Sequence, residues 1–299
     1  MIHHFPPPRQ RGLLLQLTAS TILAGVSAAL LWQAVRAPAG VDFLIQMFLS
    51  LALFAPVPVL LYRAYALYTA TYILERDGIR LHWGLRVEDI PLPEVEWIRP
   101  ATDLVGPLPP PLFSWTGAFL GSRTVEGLGP IEYMASDWRR LLLLATPHRI
   151  YAISPEDPKA FLKLFRSAME LGSLSPLRPQ TVNPAVVVGR VWSDRAGRVL
   201  VLTGLLFGMA LLIWVSLAIP TRTTLPLGFL PDQTPGDPGP AARLLLLPIL
   251  AGFSFIGDLV GGIFFYRRPG QAALAYLLWG AGLVTPVLLL VGVWFILRI

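Results

Sequence analysis

TATYILERDGIRLHWGLRVEDIPLPEVEWIRP, residues 69–100, changes the period of the chain. Before it, apolar residues run together in lengths suited to a lipid core; within it they alternate with polar ones. Tyr72 and Leu74, then Ile79, Leu81 and Trp83, follow a two-residue repeat, the pattern of half-buried strands. Asp77-Gly78 lies between the two runs and predicts a tight hairpin. Ile90-Pro91-Leu92-Pro93 interrupts the alternation, because proline has no N–H to give to a ladder. Val95 and Ile98 mark a further short strand.

Downstream, RRLLLLATPHRIYAIS (139–154) predicts two strands about a turn at Pro147-His148. The overlapping stretch YAISPEDPKAFLKLF (151–165) then starts a helix. Ser154 is the expected N-cap and Pro155 the first helical residue, while Glu156 and Asp157 put negative charge at the positive end of the helix dipole. Phe161, Leu162, Phe165, Ala168 and Met169 share the face expected to be buried, with Lys159, Lys163, Arg166 and Glu170 opposite. Gly172 is the expected stop. The Gly/Pro-rich stretch 102–129 is expected to be loop, with Gly117, Gly121, Gly127 and Gly129 as turn residues.

On either side of this region the sequence turns lipophilic. The 299 residues are 54% hydrophobic and 14% charged, against about 25% charged in soluble domains, and the mean hydropathy is +0.60. Five stretches, 13–35, 43–62, 199–219, 244–266 and 272–297, have the roughly 20 apolar residues that a helical span needs. Val26-Ser27-Ala28 resembles a signal-peptide cleavage site, but the apolar run continues through LLWQAV (30–35), so the first span is expected to be retained. Arg9, Arg11, Arg63, Arg190, Arg195, Arg198, Arg267 and Arg268 flank one side of these spans, and Arg36, Arg222, Arg243 and Arg298 the other. The positive-inside rule then predicts a cytoplasmic N-terminus, a cytoplasmic central region and an external C-terminus, in a bacterial inner (cytoplasmic) membrane.

The chain carries a formal net charge of +6, with 24 basic and 18 acidic residues. Residues 64–180 hold 12 basic against 13 acidic side chains, so the excess belongs to the flanks of the spans. The central region lacks the basic footprint of a nucleic-acid domain, and nucleic acid is not an expected partner. Absent cysteine excludes disulfides, thiolate metal sites and cysteine nucleophiles.

"Y-I-L-E-R-D-G-I-R-L-H-W-G-L-R" with "I-P-L-P-E-V-E-W-I", and later "PLFSWTGAFLGSRTVEGLGPIEYMASD" and "YAISPEDPKAFLKLF", resemble the bacterial pleckstrin-homology-like (bPH) domain family over residues 68–172. That resemblance implies a pleckstrin-homology (PH) barrel with a C-terminal helix, used for binding or assembly and not as an enzyme. A second resemblance covers residues 192–297. "W-S-D-R-A-G-R-V-L", "L-P-L-G-F-L-P-D-Q-T-P-G", "L-L-P-I-L-A-G-F" and "Y-R-R-P-G-Q-A-A-L-A-Y-L-L-W" are similar to an uncharacterised membrane-domain family also found in toxin-immunity proteins of sporulating bacteria. That family's outer loop usually carries His before Phe, whereas this chain has Gly228 before Phe229.

Little in the sequence points to catalysis or to a metal. His3 and His4 lie in a stretch expected to fray, His82 on the polar side of a strand and His148 in a turn, too scattered for a metal site. Glu88-Asp89 and Glu94/Glu96 read as solvated strand edges more readily than as an acid–base pair. G-x-S-x-G, Walker and Rossmann fingerprints are absent. In the first hairpin, Arg76 and Arg80 are matched by Glu75 and Asp77, which weakens a phosphoinositide reading. Asp258 is the exception to bland readings: an ionisable side chain within the fourth span, flanked by Gly257 and Gly261, with Gly204 and Gly208 repeating that small-residue spacing in the third. A helix-gluing role and a ligand or proton site are both open to Asp258, and the four glycines are candidate packing positions.

The expected fold class is membrane α + β, with five transmembrane helices and an inserted PH-like β-barrel or curved sheet capped by a C-terminal helix. Its parts are an N-terminus (1–12), a two-span hairpin (13–63), the PH-like domain (64–173), a linker (174–198) and a three-span domain (199–299) with an outer loop at 220–242. The expected function is non-enzymatic and needs no cofactor: a scaffold, sensor or accessory subunit. Its expected partners are the lipid bilayer, a protein partner or a second copy of the chain, and a lipid headgroup. The alternative is a transporter or toxin-immunity-type protein acting through the three-span bundle.

Overall fold

The computed structural model describes residues 2–104, 108–111, 114, 117–172, 180–182, 189, 191–222, 224–226 and 238–298. The chain folds as two units, Met1–Gly25 with Leu53–Pro184 and Val26–Ala52 with Ala185–Ile299.

In the first unit, β2 (Thr71–Leu74), β3 (Gly78–Trp83) and β4 (Arg86–Pro91) form the expected antiparallel meander, with Leu74 opposite Ile79 and Trp83 opposite Arg86. The second turn needs Gly84, whose φ is +61° and whose absent Cβ leaves room for Ala66. His3 and His4 do not fray as expected. They belong to β1 (His3–Phe5), which pairs with β2 and covers an edge otherwise open to water. Phe5 anchors that strand by an edge-on contact, 5.1 Å between centroids, with Phe161. On the far edge β10 (Gln180–Val182) pairs with β4.

A second sheet has the order β5-β8-β9-β7-β6, from β5 (Trp97–Pro100), β6 (Phe119–Val125), β7 (Gly129–Ala135), β8 (Leu142–Ala145) and β9 (Ile150–Ile153). The turn at Pro147-His148 is as predicted, whereas β6 and the start of β7 occupy sequence expected to be loop. β8 and β9 are buried on both faces, which accounts for their unbroken apolar run. Leu142, Leu144, Tyr151 and Ile153 meet Tyr72, Leu81 and Trp83 of the first sheet, while Leu143, Ala145, Ile150 and Ala152 serve a second cluster outside. No ladder joins the two five-stranded sheets among the described residues, so they form a packed pair without closing a barrel.

The covering helix, α4 (Pro158–Leu171), begins later than predicted. Asp157 is its N-cap, its carboxylate accepting from the Lys159 and Ala160 N–H groups, and Pro158 is its first residue. Ser154 is instead fully buried: its hydroxyl accepts from the N–H groups of Ser136 and Asp137, tying the chain before the helix to the β7 end. Phe161 and Phe165 are buried as expected, but Met169 is exposed and Leu164 packs in its place.

Among the described residues, five helices are long and apolar enough to cross a membrane: Gln10–Arg36, Val41–Thr69, Arg195–Thr221, Ala241–Tyr266 and Ala272–Arg298. At about 1.5 Å per residue each exceeds the roughly 30 Å of a hydrocarbon core. Only 17 to 22% of their apolar windows is buried, which leaves side chains such as Leu206, Phe253 and Leu277 facing outward as a lipid-exposed surface requires. α1 is Gln10–Arg36. The second of the five consists of α2 (Val41–Phe54) and α3 (Pro56–Thr69), parted at Ala55 where Pro56 and Pro58 follow. It runs beyond Tyr62, where the apolar stretch stops, because Arg63 donates to the Ala118 carbonyl (2.6 Å) and Ala66, Leu67 and Ala70 enter the sheet core.

In the second unit, Ser27 and Ser50 exchange hydroxyl-to-carbonyl bonds of 3.0 and 2.9 Å and join α1 to α2. α5 (Arg195–Ala218), α6 (Leu246–Tyr266) and α7 (Ala272–Arg298) pack on one another. After the third span the chain forms the short antiparallel pair β11 (Thr224–Pro226) and β12 (Pro238–Pro240). Gly228 and Phe229, and most of the expected linker 174–198, lie outside the described residues.

Candidate functional site

Glu88 is the clearest departure from the expected solvated carboxylates. Its side chain is 1% exposed and accepts from Arg86 at 2.7 Å. Arg86 also reaches Glu132 on β7, which in turn meets Arg149 at 3.4 Å, and the Tyr151 hydroxyl donates to Glu88 at 3.4 Å. Glu88 is buried because its side of β4 faces the second sheet, where these partners await it. Burial alone would lower the Arg86 pKa, but the carboxylates of Glu132 and Glu88 hold it above its ordinary value. Burial, reinforced by Glu88, pushes the Tyr151 phenol up. Asp89 pairs with Arg80 at 2.7 Å, Glu94 is half-buried in a short 3-10 turn and Glu96 is exposed. Glu88, Asp89 and Glu132 are thus each held by an arginine.

The first hairpin has other partners than the sequence suggested. Arg76 donates to the carbonyls of Leu171 and Gly172, at the negative end of α4, and Arg80 is held by Asp89. His82 Nδ1 lies 3.3 Å from the Thr69 carbonyl oxygen, and His148 is exposed in its turn. Among the described residues no group of three or more His, Cys, Asp or Glu side chains stands close enough to hold a metal ion.

A cleft of about 800 Å³ lies where the N-terminal segment enters α1 beside the turn after β7. Arg9, Arg11, Arg139 and Arg140 line it, against the two acids Asp137 and Glu156. Arg140 is engaged by Asp137 at 3.5 Å and by the Glu156 carbonyl at 2.8 Å. Arg9 donates through one terminal nitrogen to the Ala70 carbonyl (2.5 Å), while its buried Nε has no partner among the described residues. The wall is closely fitted: a Cβ on Gly12 would lie 2.5 Å from the Gly117 oxygen, and Gly117 has φ +86°. Sequence reasoning assigned Arg9 and Arg11 to topology and gave Arg139 and Arg140 no role. No local pattern links two pairs so far apart in the chain.

Two packed sheets, the capping helix and the meander with its Gly84 turn together describe a recognisable domain. Residues 70–169 match the family model described as Bacterial PH domain. The match covers about a third of the chain, and it lies within the 68–172 segment whose residues carried the resemblance. No curated protein and no solved structure matches the chain. The Arg86 network thus lies between the sheets of the PH-like domain, and the arginine cleft lies where that domain meets the start of α1.

Outside the PH-like domain, Asp258 stands on α6 opposite Gly282 of α7, and Ser254 donates to its carboxylate at 3.5 Å. The void beside it, lined by Val201, Phe255, Leu259 and Trp279, has no room for a water. Gly204 is in close approach, its Cβ position 3.1 Å from the Gly282 oxygen, and Gly261 meets Leu278. Gly208 and Gly257 face open space. The tightest glycine contact is Gly262, over which the Trp279 indole lies. Asp194 caps α5 and accepts from the Tyr276 hydroxyl at 2.5 Å and the Tyr266 hydroxyl at 3.4 Å. The Tyr276 bond is the main cause of its lowered pKa. The sequence signal was the Ser-Asp-Arg-Ala helix start.

Proposed function

We propose that this chain is a non-enzymatic membrane protein, a scaffold, sensor or accessory subunit, whose PH-like domain engages a protein or lipid partner at the cytoplasmic face of a bacterial inner membrane. The observation that carries this reading is the fusion of the domain to its helices. Ala66, Leu67 and Ala70 of the α3 end belong to the core of the sheets, Arg63 donates to Ala118, and Arg9 donates to Ala70. A domain so held cannot swing freely on a tether; it offers one face, with the arginine cleft, at a fixed distance from the bilayer. The pairing of its buried acids with arginines supports a structural use for them in place of acid–base chemistry. The transporter reading would favour a watery path past Asp258, and the close packing there favours assembly. The toxin-immunity reading rests on the resemblance of residues 192–297 alone.

Purification in mild detergent, followed by mass spectrometry of co-purifying proteins and lipids, tests the proposal. A stoichiometric protein or an enriched lipid is the expected result. Recovery of the chain alone would overturn it.

A further inference from the structure

We propose that the cleft at the foot of α1 is a binding site for a phosphate-bearing anion of the size of a phospholipid headgroup. This deepens the recognition reading above and rests on it. Three independent features converge. The first is unneutralised charge: Arg140 is engaged by Asp137, but among the described residues no carboxylate pairs with Arg11 or Arg139, and the buried Arg9 Nε has no acceptor. An arginine fork is the side chain best matched to phosphate oxygens. The second is the start of α1, a 27-residue helix with no acidic residue in its first turn, whose first residues Gln10, Arg11 and Gly12 line the same cleft, at the positive end of the helix dipole. The third is enclosure, since the volume of about 800 Å³ and the wall set by the Gly12–Gly117 approach give a headgroup a defined place.

Retention of α1 in the membrane would explain Arg9 and Arg11 without any ligand. It would not explain Arg139 and Arg140, which come from the turn after β7 and stand in the same cleft. Placement favours a lipid source. The apolar run begins at Leu13, so Arg11 lies roughly 3 Å along the helix axis from it, at the level of headgroups when α1 crosses the bilayer. The first hairpin has no such site, because Arg76 and Arg80 are already engaged.

The test uses the full-length protein in detergent, with retained lipid counted by native mass spectrometry after exchange into phosphatidylcholine doped with phosphatidylglycerol. The exposed pair Arg11→Gln/Arg139→Gln is compared with Arg267→Gln/Arg268→Gln, which removes equal charge at another helix end. Preferential retention of phosphatidylglycerol is expected, falling by about tenfold or more in the first variant and little in the second. Added sn-glycerol 3-phosphate separates the sources. Displacement of the lipid by it supports a site for phosphate from either source, and failure to displace supports one that needs the lipid. Absence of preference, or equal loss in the two variants, overturns the proposal. A chain that keeps a protein partner but shows no lipid preference would lose this inference alone.

Discussion

Arg86 on β4 holds Glu132 on β7, so the two sheets of the PH-like domain are joined by a charge pair whose side chains are each only 14% exposed. Removing Arg86 takes away the guanidinium that both carboxylates share and leaves Glu88 with the Tyr151 hydroxyl and Glu132 with Arg149, each at 3.4 Å. Arg86→Met should destabilise the domain by about 3–5 kcal/mol, read as a lowered midpoint of thermal unfolding in detergent. Replacing Arg86, Glu88 and Glu132 together by Met, Gln and Gln should recover much of that loss. A triple variant no better than Arg86→Met would mean that the pairing carries no weight.

Tyr72 gives a dependence on pH. Its hydroxyl donates to the Met134 carbonyl at 2.6 Å and accepts from the Ser154 N–H, and burial pushes its pKa up, as it does for Tyr151. A raised folded-state pKa means that the folded form keeps the proton longer. Stability from these phenols is therefore full below the ordinary value of about 10 and is lost as pH rises above it. Ultraviolet titration should show two tyrosines that ionise only on unfolding, and Tyr72→Phe should remove one of them at a cost of about 1–3 kcal/mol.

The glycines of α6 separate packing from mere helix composition. A side chain at Gly262 would overlap the Trp279 indole, whereas Gly257 has open space. Gly262→Ala should lower the unfolding midpoint by the equivalent of about 1–3 kcal/mol, and Gly257→Ala should not destabilise the monomer. An effect of Gly257→Ala on oligomer size alone would assign that glycine to contacts between copies.

Ser154 and Asp157 make a similar contrast at the start of α4. Asp157→Ala removes a helix cap and should cost about 1 kcal/mol. Ser154→Ala strips the acceptor from the buried Ser136 N–H and the half-buried Asp137 N–H and should cost about 1–3 kcal/mol. Denaturation of the two variants, measured side by side, checks the order.

That pair also marks where local sequence stops being informative. Ser-Pro-Glu-Asp-Pro offers two capping residues, Ser154 and Asp157, each followed at once by proline, and nothing within the motif chooses between them. The choice is made by Ser136, Asp137 and Tyr72, which capture Ser154 from elsewhere in the chain. The meander at 71–91 was legible because each strand buries one face. β7 was harder to read, because Met134 and Tyr133 serve opposite cores and erase the alternation. The arginine cleft was illegible for a related reason: its cations come from the N-terminus and from the turn after β7, and only the fold makes them neighbours.

The central claim is that recognition occurs on the cleft face of the PH-like domain, and site-specific photo-crosslinking in intact cells tests it most directly. A benzophenone amino acid in place of the exposed Glu156, at the cleft rim, is compared with one in place of Arg166, on the outer face of α4. A discrete adduct with a lipid or protein from Glu156 and none from Arg166 is the predicted result. Adducts from Arg166 alone, or none from either position, would contradict the account.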